Sequence, residues 1–140
     1  MRIMAIDYGD ARTGVAFSAL TGSIVGRTTV IHERNTERLL AALTELIGQE
    51  QPGQLVMGFP RNMDGSEGPR ADLYRAFAAK LEELINQPVV LWDERRTTIE
   101  AHQILSDNNY HGKKRKKTVD AVAASLILEG YLSYLRTHKE

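Results

Sequence analysis

Three carboxylates stand where strand and helix ends would bring them to one edge of a sheet. Asp7 closes the apolar run Ile3 to Tyr8, within Asp7-x-Gly9-x-x-Arg12-x-Gly14-x-Ala16. An ionised carboxylate on an apolar strand is costly to bury without a partner, so it asks for a cation, unless it only forms the turn at the strand end. Asp93-Glu94-Arg95 follows Val89-Val90-Leu91-Trp92, at the C-terminal end of a predicted parallel strand, the edge where α/β sheets bind ligands. Adjacent strand residues face opposite sides, so one acid of the pair can face a site while the other meets solvent, Arg95 or Arg96. The sequence leaves both open. Asp120 lies one residue into the last predicted helix, on the flank of its apolar stripe, from where it could reach over the sheet. The helix dipole, with Thr118 as cap, would equally favour an acid there. Three carboxylates meeting in a cleft repel one another until a cation neutralises them, and hard oxygen donors select Mg²⁺ or Mn²⁺.

Other stretches bear on phosphate. Gly58-Phe59-Pro60-Arg61-Asn62-Met63-Asp64-Gly65-Ser66 reads as a strand exit, a Gly-rich turn and a helix start whose free N–H groups could receive an anion. Lys113, Lys114, Arg115, Lys116 and Lys117 are consecutive cations in the stretch Asp107 to Lys117, which is long and polar enough for a loop. Net charge is zero, but without that run 13 basic residues face 18 acidic ones: a basic loop on an acidic body. Phosphate contacts supply much of nucleic-acid affinity, so the run beside Asp120 is a candidate for holding such a backbone rather than only a solvated loop. Thr97-Thr98-Ile99-Glu100 has the form of a capping box and is taken as structural, Trp92 as a core residue, and His102 as a bystander rather than a general base.

The elements that must position these residues follow from periodicity. Ile3 to Tyr8, Gly14 to Ser18 and Ile24 to Ile31 read as three antiparallel strands. A helix begins after Asn35, a plausible N-cap, and carries Leu39, Leu40, Leu43, Leu46 and Ile47 up to Gly48. A strand at Gln54 to Gly58, a helix from about Ser66 to Ile85 with Leu73, Phe77, Leu81 and Leu84 on one face, and a strand at Pro88 to Trp92 make a βαβ crossover, which implies parallel pairing. A short helix near Thr97 precedes a long one from about Val119 to Arg136, with Val119, Val122, Ala123, Leu126, Ile127, Tyr131 and Tyr134 as its core stripe. The expected class is α/β: a five-stranded mixed sheet, three antiparallel then two parallel strands, flanked by helices. At 140 residues, 42% hydrophobic, this is one domain over residues 1–140 with one core. No cysteine is present, which excludes disulfides and thiolate metal sites, and no apolar run suits a signal peptide or a membrane span. Cytoplasmic localisation without membrane attachment is expected, and no defensible oligomer interface is visible.

Taken together, Asp7-x-Gly9-x-x-Arg12-x-Gly14-x-Ala16, Gly58-Phe59-Pro60 with Asn62 and Asp64-Gly65-Ser66, Asp93-Glu94-Arg95-x-Thr97-Thr98-x-Glu100-Ala101, and Val119-Asp120-x-x-Ala123-Ala124-x-x-Leu128-Glu129 resemble the YqgF family over nearly the whole chain. That family is ribonuclease H-like, is related to the RuvC Holliday-junction resolvases, and has members called resolvases or pre-16S rRNA nucleases. The resemblance implies a phosphodiester nuclease with Asp7, Glu94 and Asp120 as catalytic, metal-binding acids and Mg²⁺ or Mn²⁺ as cofactor. Arg12, Arg61, Asn62, Ser66 and Lys113 to Lys117 are then substrate-binding residues. The implied partner is nucleic acid, RNA ahead of DNA junctions, and with it the ribosome. Related nucleases carry a fourth acid one turn before the last; here Lys117 stands three before Asp120 and Ala123 three after. Two rivals share features: actin-like ATPases also carry Asp-x-Gly hairpins but bind nucleotide between two such domains, and a non-catalytic RNA-binding maturation factor would keep the fold without the reaction.

Overall fold

A computed structural model of the chain describes residues 1–19, 25–60, 68–93 and 112–137, and the backbone alone for 112–120 and 137. Along these residues the elements run β1 (Ile3–Asp7), β2 (Arg12–Ser18), β3 (Val25–His32), α1 (Thr36–Glu50), β4 (Gln54–Phe59), α2 (Pro69–Ile85), β5 (Val89–Asp93) and α3 (Gly112–Thr137). The strands form one sheet in the order β3-β2-β1-β4-β5. β2 is antiparallel to β1 and to β3, while β4 is parallel to β1 and to β5, so the mixed sheet expected from the strand order is present. The expected short helix near Thr97 lies outside the described residues.

Strand side chains alternate between two cores. Met4, Ile6, Tyr8, Val15, Phe17, Leu55, Met57, Phe59 and Val89 pack beneath α1 and α2. Ile3, Ala5, Ala16 and Val56 pack beneath α3, with Val90 and Trp92 against them. Both faces of β1 and β4 are buried, which is why these strands read as continuous apolar runs without polar alternation.

α1 starts as expected: the Asn35 Oδ1 accepts the Arg38 N–H at 2.9 Å. It runs past Gly48 to Glu50 and closes at Gln51, whose φ of 47° is left-handed and whose N–H donates to the Ile47 carbonyl at 2.8 Å. Gly48 lies on the exposed side and imposes no break; the following Pro52 does. α2 is described from Pro69, with Gly68 before it as the cap, and proline's fixed φ suits the first helical position; Ser66, the expected start of the helix, lies outside the described residues. Its buried row is Ala71, Tyr74, Phe77, Ala78 and Leu81, while Leu73 and Leu84 of the expected face are 49% and 56% exposed. Phe77 and Leu81 stay in the buried row as expected, and Tyr74 with Ala71 and Ala78 takes the places of Leu73 and Leu84. The Glu82 carboxylate accepts the Val89 N–H at 2.9 Å and so fixes where β5 begins.

α3 differs most from expectation. It begins at Gly112, so Lys113 to Lys117 belong to its backbone and not to a loop, and Thr118 is interior, not a cap. Lysine and arginine are good helix formers, and charge alone was a poor sign of a loop. Its buried row is Ala123, Ala124, Ile127, Leu128, Tyr131 and Leu132, rotated from the expected stripe so that two alanines meet the sheet, while Tyr134 stays 43% exposed. Small residues let the helix axis approach the strands closely.

Candidate functional site

Asp7 is the last residue of β1 and stands opposite Gly14 of β2. The ladder between β1 and β4 runs from Ile3↔Gln54 to Ile6↔Met57, so the next rung brings Gly58 to the other side of Asp7, and Gly58 in turn pairs with Trp92. The alternation puts Asp7 on the face of Ile3 and Ala5, under α3. It is half-buried, and the two glycines are buried. Neither sheet neighbour of Asp7 therefore raises a side chain beside it, which leaves room for a ligand to approach the carboxylate.

The backbone after Asp7 is held from the other face. Tyr8 stacks on Phe77 with ring centroids 4.0 Å apart and meets Tyr74 edge-on at 5.0 Å. The Tyr74 hydroxyl donates to the Tyr8 carbonyl at 2.7 Å and accepts from the Arg70 guanidinium at 3.1 Å. The Gly9 N–H donates to the hydroxyl of fully buried Thr13 at 3.4 Å. A Cβ on residue 9 would collide with the Arg12 carbonyl oxygen, which is the physical content of the Asp7-x-Gly9 spacing. Arg12 opens β2 two residues before Gly14, on Asp7's side of the sheet, and pairs across the strands with His32.

Asp93 ends β5 opposite Phe59. It follows Val89 and Leu91 in the alternation, with Val90 and Trp92 on the α3 side, so Asp93 falls on the face away from Asp7 and is exposed. Glu94 lies outside the described residues, as do Arg61, Asn62 and Ser66. Asp120 occupies the α3 position one turn before Ala124 and two turns before Ile127, both packed on the face that carries Asp7. Lys113, Lys114, Arg115, Lys116 and Lys117 precede it on the same helix. The described residues thus bring Asp7 and Arg12 to one face and remove Asp93 from it. Among the described residues no three acids or histidines gather as a metal cluster. Asp7 itself fits a divalent cation: a hard oxygen donor, partly shielded, bordered by residues that leave coordination space open.

Trp92 packs edge-on against Tyr131 and Tyr134, each at 5.5 Å, as a core residue would. Burial and then the neighbouring Tyr134 raise the pKa of the Tyr131 phenol. Sequence reasoning placed Phe77 on the core face but missed Tyr74 as its partner under Tyr8, and it missed the two glycines as neighbours, because their adjacency to Asp7 arises from pairing between strands distant in sequence.

A family model described as "RuvX: Holliday junction resolvase" matches residues 1–134. A protein of Halothermothrix orenii is 44% identical over 134 residues, covering 96% of each chain, and one of Bacillus subtilis is 43% identical over 137 residues, covering 96% of this chain and 99% of that one. Both bear the name "Putative pre-16S rRNA nuclease". Among solved structures, Thermus thermophilus RuvC in complex with Holliday junction substrate superposes with a TM-score of 0.60 at 14% identity, over 99% of this chain and 97% of that one. The Fowlpox virus resolvase in complex with Holliday junction DNA gives 0.59 at 14% identity, over 96% and 99%. At such identities these two structures establish the fold.

Proposed function

This chain belongs to the RuvX family, and we propose that it is a divalent-metal-dependent nuclease that processes the 5′ end of pre-16S rRNA, with Asp7, Glu94 and Asp120 as its metal-holding acids. The single observation that carries this reading is Asp7 at the C-terminal edge of β1, half-buried and flanked by Gly14 and Gly58 on the face toward α3. One further step of the β5 alternation beyond Asp93 would bring Glu94 to that face. The helical register that carries Ala124 and Ile127 to the sheet supports Asp120 as the third acid. A Mg²⁺ or Mn²⁺ ion held there would acidify water and offset the charge that builds on a phosphate under attack.

The chain's own residues bind and orient. Arg12 would hold a phosphate beside the scissile one, and Arg61, Asn62 and Ser66 would hold the strand on the β4 side. Lys113, Lys114, Arg115, Lys116 and Lys117 would draw the polyanion toward the N-terminal part of α3. The relatives' names support rRNA as substrate, and with that reading go ribosome maturation as the setting and the cytoplasm as the place. Among the described residues no helix is long and apolar enough to cross a membrane. A DNA junction is the second reading, favoured by the family's description and by a fold shared with junction-bound RuvC.

The test is cleavage of end-labelled precursor-like structured RNA and of four-way DNA junctions with Mg²⁺, Mn²⁺ or EDTA, wild type beside Asp7→Asn. Metal-dependent cutting of the RNA that is lost in the variant is expected. Cutting of the junction alone would reassign the substrate, and binding without cutting of either would leave a non-catalytic maturation factor.

A further inference from the structure

Between the start of β2, the end of β3 and the start of α1 lies an open pocket of about 530 Å³, lined by Ala11, Arg12, His32, Glu33, Arg34, Asn35 and Arg38. Three arginines and a histidine thus converge on a single cavity with one acid. One oxygen of that acid is engaged by the backbone: Glu33 Oε2 accepts the N–H groups of Arg34 at 3.1 Å and Asn35 at 3.2 Å. The segment is fixed by the Glu33 N–H, which donates to the Ala11 carbonyl at 3.2 Å, and by the Asn35 cap on Arg38. The arginine-bearing backbone is therefore set before any ligand arrives, and the cavity keeps an excess of positive charge. Charge of one sign concentrated in a cleft raises the local concentration of an oppositely charged ligand, and guanidinium groups suit phosphate geometry.

The pocket also has a place relative to Asp7. Arg12 follows the same side of β2 as Gly14, the partner of Asp7, and two strand residues span about 7 Å. A chain lying over Asp7 and running along β2 meets Arg12 first, then His32 across the strand pair, then Arg34 and Arg38 at the sheet's edge. We propose that this pocket is a backbone-phosphate subsite for the strand leaving the scissile position, with Arg34 and Arg38 as its principal contacts and His32 as a further one. The subsite deepens the nuclease reading and rests on it for its position, but its affinity does not depend on cleavage.

The experiment is fluorescence anisotropy in EDTA with a short fluorescein-labelled single-stranded RNA, over a range of KCl, for wild type, Arg34→Ala/Arg38→Ala, and the control Lys80→Ala/Arg136→Ala, which removes as much charge elsewhere. Circular dichroism checks that each is folded. Two lost phosphate contacts lower the slope of log K against log salt by about 1.4 for a single strand and weaken binding roughly tenfold. The control should keep the wild-type slope. An unchanged slope, an equal loss in the control, or a wild type that binds neither the RNA nor a four-way junction would overturn the subsite. So would displacement of the RNA by inorganic phosphate at matched ionic strength more readily than by sulfate, which would assign the pocket to a free anion. A wild type that binds with the predicted slope change but cuts nothing in Mg²⁺ removes the nuclease reading and leaves the subsite; normal cutting with no slope change does the reverse.

Discussion

The hydroxyl of Tyr74 donates to the carbonyl of Tyr8, so that α2 holds, from the far side of the sheet, the Tyr8–Gly9 peptide one residue beyond Asp7. Removing that hydroxyl leaves a buried carbonyl without its donor. Tyr74→Phe is expected to lose about 1–2 kcal/mol in urea unfolding, and its cleavage should show a lower kcat at nearly unchanged KM. A loss of stability with kcat intact would limit the contact to a structural part.

Asp93 and Glu94 are neighbours in sequence with opposite expected effects. Asp93 is exposed on the face away from Asp7. Asp93→Asn should cut at the wild-type rate, whereas Glu94→Gln should be inactive with RNA binding in EDTA retained. Parallel cleavage assays check this, and the reverse result would assign the acid to Asp93.

Gly14 stands beside Asp7 without a side chain. Gly14→Ala adds a methyl group on the α3 face at that rung, where displacement of a reacting group by about 1 Å can cost on the order of a hundredfold in rate. Single-turnover cleavage should fall by about that amount while anisotropy in EDTA is unchanged. A wild-type rate would show that the space beside Asp7 is not used.

Burial, and secondarily Tyr134, raise Tyr131 above its ordinary value of 10.0. Below about pH 10 the phenol is protonated in both folded and unfolded chains and contributes no pH dependence. As pH rises past that value the unfolded chain releases the proton first, so stability falls until the folded phenol also ionises. Urea unfolding between neutral and strongly alkaline pH should show this decline, and Tyr131→Phe should remove part of it.

Much of this architecture is legible in the sequence because two periods do different work. The apolar runs around Ile6 and Val56 announced strands buried on both faces, and the crossover between β4 and β5 followed from the helix between them. Helix faces were less legible. The burial of Tyr74 in α2 in place of Leu73 goes with its contact to Tyr8, which lies 66 residues away in sequence, and such a contact leaves no local trace. The N-terminal part of α3 is hidden from a sequence reading because consecutive cations signal solvent and not backbone conformation. At the candidate site, Asp7 is visible as an acid out of place on an apolar strand, but that Asp93 faces away from it follows only from the side assignment of Val90 and Trp92. Arg34 and Arg38 drew no notice, since on sequence alone they are two cations near a helix start.

The Glu82 carboxylate on the Val89 N–H also sets a parity. Counting from Val89, odd positions of β5 turn toward α2 and even positions toward α3. Removing one residue between that anchor and Asp93 would turn Asp93 to the α3 face without altering its chemistry, whereas removing two would shorten the strand and keep it in phase. The chemistry at this edge therefore has something like a reading frame, with Glu82 as its start.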